Sequence, residues 1–502
     1  MSNEHPYSDD DIVTPITEWP ITITIEPNED TNENRKKYCK SKPQRGLIYS
    51  RHLSENIKKQ KCIDEVRNPD MYDSQVSESL VSVRVAKWLR KNKSVHVTNQ
   101  APSAPKSPNT VLYNVSRTKE CIEFLKKERF QLQSKAGDSK SMHIGDIHAA
   151  LASVEDWLGN YNEAFEQIKL AVTMSPNNSE YRWLKEKLKR QCKVFMQQCE
   201  MMNKVKDNPL VFPSVSEVER VSTKNLTVEE FIENYVDKKR PVILLDVVSS
   251  MTKKPWDFEY IKTKTGSLKV FLKSAVPYSV EWAKLEESRS VLVRDFIDSV
   301  QNSETDEYLF DLSLPIHCPH LAEELIIPEY FEDNFLLQTH PGSLYRDSWP
   351  SLFIAPKGVT SQLHVDAFAS NFWMALFQGQ KRWTFFDGDD LPLLYPQYFH
   401  SMDPVFSVDL DKADMEKFPL LALTKPRQCI LNPGELLFVP AGSPHYVENL
   451  TASLAVSSNH VNHSNFKQVC KELKVNCLLD PRSADLLEQF QSPAFFHGPQ
   501  LK

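Results

Sequence analysis

The sequence predicts an α+β protein: a many-stranded β-sandwich or barrel that follows a helical block and a long polar arm. Three observations carry this. From about residue 207 onward, short runs rich in Val, Phe and Trp alternate with Pro, Gly or Asp turns. Between Pro108 and Pro176 there is no proline, and helix formers are dense. Residues 1–110 are crowded with Asn, Asp, Glu, Lys, Ser and Pro, as in EPNEDTNENRKK.

Taken in order, residues 1–110 read as a mostly disordered arm, because such composition cannot bury enough apolar surface to offset the entropy of ordering. Its island SLVSVRVAKWLRKN reads as a helix or docking segment. Residues 111–205 read as helical. Within them, DWLGNYNEAFEQIKLAVTMSPNNSE resembles the second helix of a tetratricopeptide repeat, with Gly159, Tyr161, Ala164, Phe165, Ala171 and Pro176 matching in type and spacing. Leu151 and Ala152 take the packing positions of the first helix. One repeat is visible, and a solenoid needs about three. A peptide-binding groove and a docking or homodimerisation module therefore both stay open.

Residues 206–465 read as the β domain. Thr227-x-x-Glu230 is a capping box, with Leu226 and Phe231 at the staple positions. The helix VEEFIENYVDKK and the strand PVILLDVV follow. The later strands are YLFDLSL, SLFIAP, NFWMALF, KRWTFF, QCILN, LLFVP, HYVEN and SLAVSS, with helical inserts expected between 280 and 335. Residues 466–502 hold two amphipathic helices, FKQVCKELKVNCLLD and SADLLEQF.

Composition excludes several classes. The chain has 12 glycines in 502 residues, never closer than eight positions apart. That rules out GxGxxG, the Walker loop and the GxSxG elbow, all of which need closely spaced glycines. A net charge of −7 speaks against nucleic acid as an electrostatic partner. Nine scattered cysteines with no CxxC read as free thiols. The acidic start has no apolar signal segment and no run is long enough to span a membrane. A cytoplasmic or nuclear protein is expected.

The chemistry concentrates in SQLHVDAFASNFWMALFQGQKRWTFF. His364 and Asp366 stand two apart on an extended stretch, so both side chains point to one face. His445 follows 79 residues after Asp366 and opens another strand. Two histidines and a carboxylate form a facial triad for non-haem Fe(II) that leaves coordination positions open for a cosubstrate and O2. Lys381 lies 17 residues after His364, on the face shared by Trp383 and Phe385. A buried lysine there suits the far carboxylate of a chelating diacid.

These strings resemble the jumonji-C (JmjC) branch of Fe(II)- and 2-oxoglutarate-dependent oxygenases, through HVD, GQKRW, NPGELLFVPAGSPH and LAVSSN in order over about 210–465. The ALFQGQKRW string looks closest to the phosphatidylserine-receptor-type hydroxylases. The resemblance implies a double-stranded β-helix, the cupin-like jelly roll. It implies metal ligands His364, Asp366 and His445, and cosubstrate contacts from Lys381, Ser361, Asn371, Ser457 and Asn459. Two residues depart from the pattern: Met374 stands where the closest branch has Asn, and Ser457 where Thr is common. The implied activity is hydroxylation of a protein side chain, or demethylation if the attacked C–H sits on an N-methyl group. The alternative is a weakly active scaffold that recruits partners through its helical region. IHCPH (His317, Cys318, His320) reads as a loop rather than a zinc fragment. His460 and His463 read as surface imidazoles, and Trp349, Trp373 and Trp383 as core.

Overall fold

The computed structural model describes residues 144–495, apart from 158, 206–209, 277, 278, 280, 400, 493 and 494. The polar arm expected over 1–110 and the first part of the helical block lie outside the described residues.

Three helices open the described chain: α1 (Ile144–Trp157), α2 (Tyr161–Met174) and α3 (Ser179–Val205). Small residues let α1 and α2 approach: Ala149, Ala152, Ala164 and Ala171 are fully buried between them, beside Leu151. Gly159 turns the chain with φ +79°. Pro176, which cannot continue a helix, follows the end of α2. Tyr161 packs edge-on against Phe195 of α3, with ring centroids 5.3 Å apart. The described residues hold this one hairpin and no second copy of it. No described helix is long and apolar enough to cross a membrane.

α3 joins the helical block to the β domain. Its Arg190 donates to the Met402 carbonyl at 3.1 Å and pairs with Glu472 at 2.6 Å. Gln198 donates to the Pro392 carbonyl at 2.9 Å, and Val205 packs with Leu393 and Leu420.

The β domain is built on two facing sheets, with strands numbered in chain order. The larger runs β2 (Glu219–Ser222), β3 (Val242–Leu245), β14 (Leu436–Val439), β9 (Asn371–Gln378), β16 (Ser453–His460), β7 (Ser351–Ala355), β6 (Leu309–Ser313). The smaller runs β1 (Ser216–Glu217), β13 (Arg427–Leu431), β10 (Lys381–Phe385), β15 (His445–Asn449), β8 (Thr360–His364). Four strands of each sheet, from β7 to β16, interleave with antiparallel neighbours. This is the jelly roll that the resemblance implies. Alternating residues of both sheets fill its interior, among them Phe353, Phe372, Met374, Trp383, Phe385, Leu431, Leu437 and Val447. The outer face of the larger sheet packs on the preceding helices through Phe231, Phe296, Trp373 and Phe438. The outer face of the smaller sheet is covered by the 386–421 insert through Leu363, Phe386, Leu394, Phe406 and Leu421.

The expected helix after Thr227 is present with its capping box, Glu230 N to Thr227 Oγ1 at 3.1 Å and Thr227 N to Glu230 Oε2 at 3.0 Å. It widens into π-helix over Ile232–Val236. The stretch between 280 and 335, where helical inserts and the strand YLFDLSL were expected, also carries half of a hairpin, β4 (Lys269–Ala275) and β5 (Leu285–Leu292). β5 is LEESRSVL, with its middle exposed. A ribbon so polar has no period-2 apolar alternation to reveal it.

Gly379 makes the β9–β10 turn and shows why a glycine is required there. Its φ is +83°, and an added Cβ would lie 2.2 Å from the Ala452 carbonyl oxygen. Backbone cannot yield as a flexible side chain would. Gly379→Ala is expected to destabilise the fold by about 3 kcal/mol or more. In a thermal melt, a midpoint equal to that of the wild type would contradict this.

Candidate metal centre

β8 ends at His364 and β15 begins at His445, and the two pair directly across the ladder. Directly opposed residues share a face, so both imidazoles enter the barrel, with ring centroids 4.1 Å apart. Asp366 follows on extended backbone, φ −63° and ψ 144°. One ligand atom from each of the three lies within 4.8 Å of the others, and among the described residues no other such group occurs.

The histidines are held in one orientation. His364 Nδ1 lies 2.6 Å from the Gln362 carbonyl, and His445 Nδ1 lies 2.9 Å from the Ser443 carbonyl. A carbonyl only accepts, so each Nδ1 carries the proton and each Nε2 keeps its lone pair. That is the arrangement of metal-ligating histidines. Burial, at 3% and 1% exposure, pulls both rings below the usual histidine range, His445 to about 4. They stay neutral and ready to ligate. Asp366 keeps some contact with solvent, yet burial and the nearby Asp311 and Asp403 still push its carboxyl up to about 7. A divalent cation would reverse that cost. The donor set, two neutral imidazoles and one carboxylate with further positions open, fits Fe(II).

The turn after Asp366 is strained and firmly held. Phe368 and Ala369 both take left-handed backbone, at φ +44° and +57°, which costs about 1–2 kcal/mol per residue. Phe368 stacks on Tyr345 with centroids 4.3 Å apart. Asn465 donates to the Ala369 carbonyl at 3.0 Å, and Asn459 donates to Ser370 Oγ at 2.7 Å. The Asn459 amide also lies close enough to the Asp366 carboxylate to favour its charged form. It therefore anchors a ligand and the turn behind it.

Lys381 opens β10 and is fully buried in the interior. Its Nζ donates to Asn449 Oδ1 at 2.6 Å and to Tyr308 Oη at 3.1 Å. Both partners are neutral, and burial lowers the ammonium to about 7. A carboxylate arriving here would meet a cation with no counter-ion within salt-bridge distance among the described residues, which fits the far end of a diacid. Asn449 is fixed by donating to the Val359 carbonyl at 2.7 Å.

Ser361 stands three before His364, an odd separation that in a regular strand would put it on the opposite face. A bulge prevents this. His445 pairs with His364 and Val447 with Ser361, so Gln362 and Leu363 together face Tyr446. The extra residue resets the alternation, and Ser361 joins His364 on the inner face. Ser457 is fully buried on the inner face of β16, in register with Met374 of β9.

Asn371 is placed differently from the expectation. Phe372 and Met374 take the inner face of β9, so Asn371 points outward. Its Oδ1 accepts from Ala441 N at 2.9 Å and its Nδ2 donates to Ser464 Oγ at 3.2 Å. It secures the turn before His445 rather than reaching a cosubstrate. His460, expected at the surface, is buried on the outer face against Phe331, with centroids 5.6 Å apart. Cys318 is buried between two short helices, Leu314–His317 and Pro319–Glu324, and joins no ligand group. Three residues of the site were missed: Tyr308, Asn449 and Trp282. The Trp282 ring lies edge-on 4.3 Å from His364, and its Nε1 donates to the Val365 carbonyl at 2.8 Å. A tryptophan thus shields the strand end that carries two ligands.

Known proteins resemble this chain in sequence. A family model described as a cupin-like domain matches residues 228–466. Lysine-specific demethylase JMJ21 of Arabidopsis thaliana is 28% identical over 259 residues, which cover 50% of this chain and 26% of that protein. Lysine-specific demethylase 8 of Danio rerio is 29% identical over 259 residues, 50% of this chain and 60% of that protein. The bifunctional arginine demethylase and lysyl-hydroxylase psr-1 of Caenorhabditis elegans is 24% identical over 271 residues, 51% of this chain and 64% of that protein. The matched segment thus spans between a quarter and two thirds of these relatives.

Proposed function

Because the chain belongs to the JmjC family of cupin-like oxygenases, we propose that it is an Fe(II)- and 2-oxoglutarate-dependent enzyme that hydroxylates a protein side chain. The observation that carries this is the shared interior face. His364, His445 and Lys381 all project into one barrel from paired strands. Fe(II) with 2-oxoglutarate supplies O2 activation: one oxygen atom enters succinate as CO2 leaves, and the other enters the substrate C–H bond.

The chain's own residues bind, orient and exclude. His364, Asp366 and His445 hold the metal, with both Nδ1 protons pinned to backbone carbonyls. Lys381, protonated, holds the far carboxylate, and Tyr308 and Asn449 aim its ammonium. Trp282 keeps water from the His364 side. Relatives named as lysine and arginine demethylases and as a lysyl-hydroxylase support a Lys or Arg side chain as the target. On an unmodified side chain the product is the alcohol; on an N-methyl group the hydroxymethyl product loses formaldehyde.

The test is the full chain with Fe(II), 2-oxoglutarate and peptides carrying Lys or Arg, each with and without N-methylation. Gain of one oxygen on the unmodified peptide, with equimolar succinate, is the expected result. Loss of methyl groups alone would move the assignment to demethylation. No succinate from any peptide or cell extract, while metal still binds, would favour a scaffold. Met374, a thioether at an inner position beside Ser457, is the residue that points that way.

A further inference from the structure

The barrel interior contains two buried polar atoms without a hydrogen-bond partner, Trp383 Nε1 on β10 and Ser457 Oγ on β16. Their residues are 2% and 0% exposed. An unpaired buried donor costs about 1–3 kcal/mol, and native proteins rarely keep one without a use. Two other such atoms among the described residues, Trp256 Nε1 and His460 Nδ1, lie outside the barrel. Trp256 belongs to the outer apolar layer, and His460 faces Phe331 of that layer.

Trp383 occupies a specific place along the interior. Lys381, Trp383 and Phe385 share the inner face of β10, and their partners on β15 are Asn449, Val447 and His445. The indole therefore sits midway between the lysine and the level of the metal-binding imidazole. Each step of two residues along a strand is about 7 Å. A five-carbon diacid anchored by Lys381 at one end and by the metal at the other has to pass this side chain. The indole also reaches across the barrel interior: its ring lies 5.4 Å from His445 and 6.1 Å from Phe372 of the opposite sheet. Stacking on Phe385, 5.6 Å away with an interplanar angle of 9°, keeps it from turning aside.

On the reading that this site takes 2-oxoglutarate, we propose that Trp383 is a further cosubstrate-binding residue. Its Nε1–H donates to an oxygen of the bound diacid, facing the Ser457 contact that the resemblance already implies. A residue that serves packing alone would use its ring and have no need of the N–H. The Trp383 ring packs on its neighbours, while its N–H is left without a partner in the barrel interior.

The experiment uses the full chain labelled with nitrogen-15 at the indole nitrogens and loaded with Zn(II), which is diamagnetic and does not turn over. Trp383→Phe and Trp256→Phe each remove one indole N–H signal and so assign it; Trp383→Tyr makes the same assignment should the phenylalanine variant not fold. Adding 2-oxoglutarate is expected to move the Trp383 signal downfield and leave that of Trp256 in place. In titration calorimetry, Trp383→Phe and Ser457→Ala are each expected to weaken 2-oxoglutarate binding about tenfold. If the wild-type protein binds 2-oxoglutarate but the Trp383 signal stays put, this inference is wrong and the proposed function stands. If the metal-loaded wild type binds no 2-oxoglutarate at all, the proposed function itself falls.

Discussion

Asp366→Ala is expected to abolish divalent-metal binding and turnover while leaving the fold in place. Asp366 contributes the one negative charge of the triad. Without it, two neutral imidazoles remain, and an affinity loss of about 100-fold or more is expected. The ligand-free protein should lose nothing in stability. The carboxyl is already pushed up to about 7 by burial and by neighbouring acids, so deleting it relieves an unfavourable desolvation. Free Mn(II) measured by electron paramagnetic resonance reports the affinity, and a thermal melt without metal reports the fold. Metal affinity unchanged in the variant would remove Asp366 from the ligand set. A collapsed melt would show instead that the carboxylate holds the Phe368 turn.

The second large effect belongs to Lys381. Lys381→Met keeps the length and apolar stem but removes the charge. Binding of 2-oxoglutarate is expected to weaken on the order of 100-fold, the magnitude of a lost hydrogen bond to a buried charged group. Stability should change in the opposite sense, with a definite pH signature. In the folded protein the ammonium is lowered to about 7 by burial, while an unfolded lysine titrates near 10.4. Between those values the unfolded chain holds the proton and the folded chain does not, so stability of the ligand-free protein rises with pH over that interval. Below about 7 both states are protonated and the full penalty remains. Lys381→Met should therefore be more stable than wild type at pH 7, with the difference shrinking as pH climbs toward 9. Denaturant unfolding at pH 7, 8 and 9 measures this. A constant difference would mean that Lys381 stays charged in the folded state across the range.

The parts of the site that were legible in the sequence are those carried by contiguous motifs. His364 and Asp366 declare themselves by spacing, His445 by the run of strand and turn residues before it, and Lys381 by the apolar face it shares with Trp383 and Phe385. Tyr308 and Asn449 were not legible, because their role exists only once β6 and β15 bring them to Lys381 from 73 and 68 positions away. Asn371 misled for a related reason. Which residue of NFWMALF faces inward depends on the register against β14 and β16, and period-2 alternation in a strand apolar on both faces does not decide it. The jelly-roll strands themselves were legible, since each is short, apolar and bounded by turn residues. The polar strand β5 carries no such pattern.

The bulge in β8 has a consequence for how this strand tolerates change in length. The metal ligands lie on one side of it and Ser361 on the other, and it absorbs one extra residue between these two inward-facing positions. Removing either Gln362 or Leu363 would restore plain alternation, leave His364 opposite His445 and Ser361 opposite Val447, and so keep both on the inner face. Neither the ligands nor the hydroxyl on the inner wall would change; only the extra residue opposite Tyr446 would be lost. Strand length is thus buffered at this point of the barrel: β8 accepts one residue more or fewer between Ser361 and His364 without changing which side chains face inward.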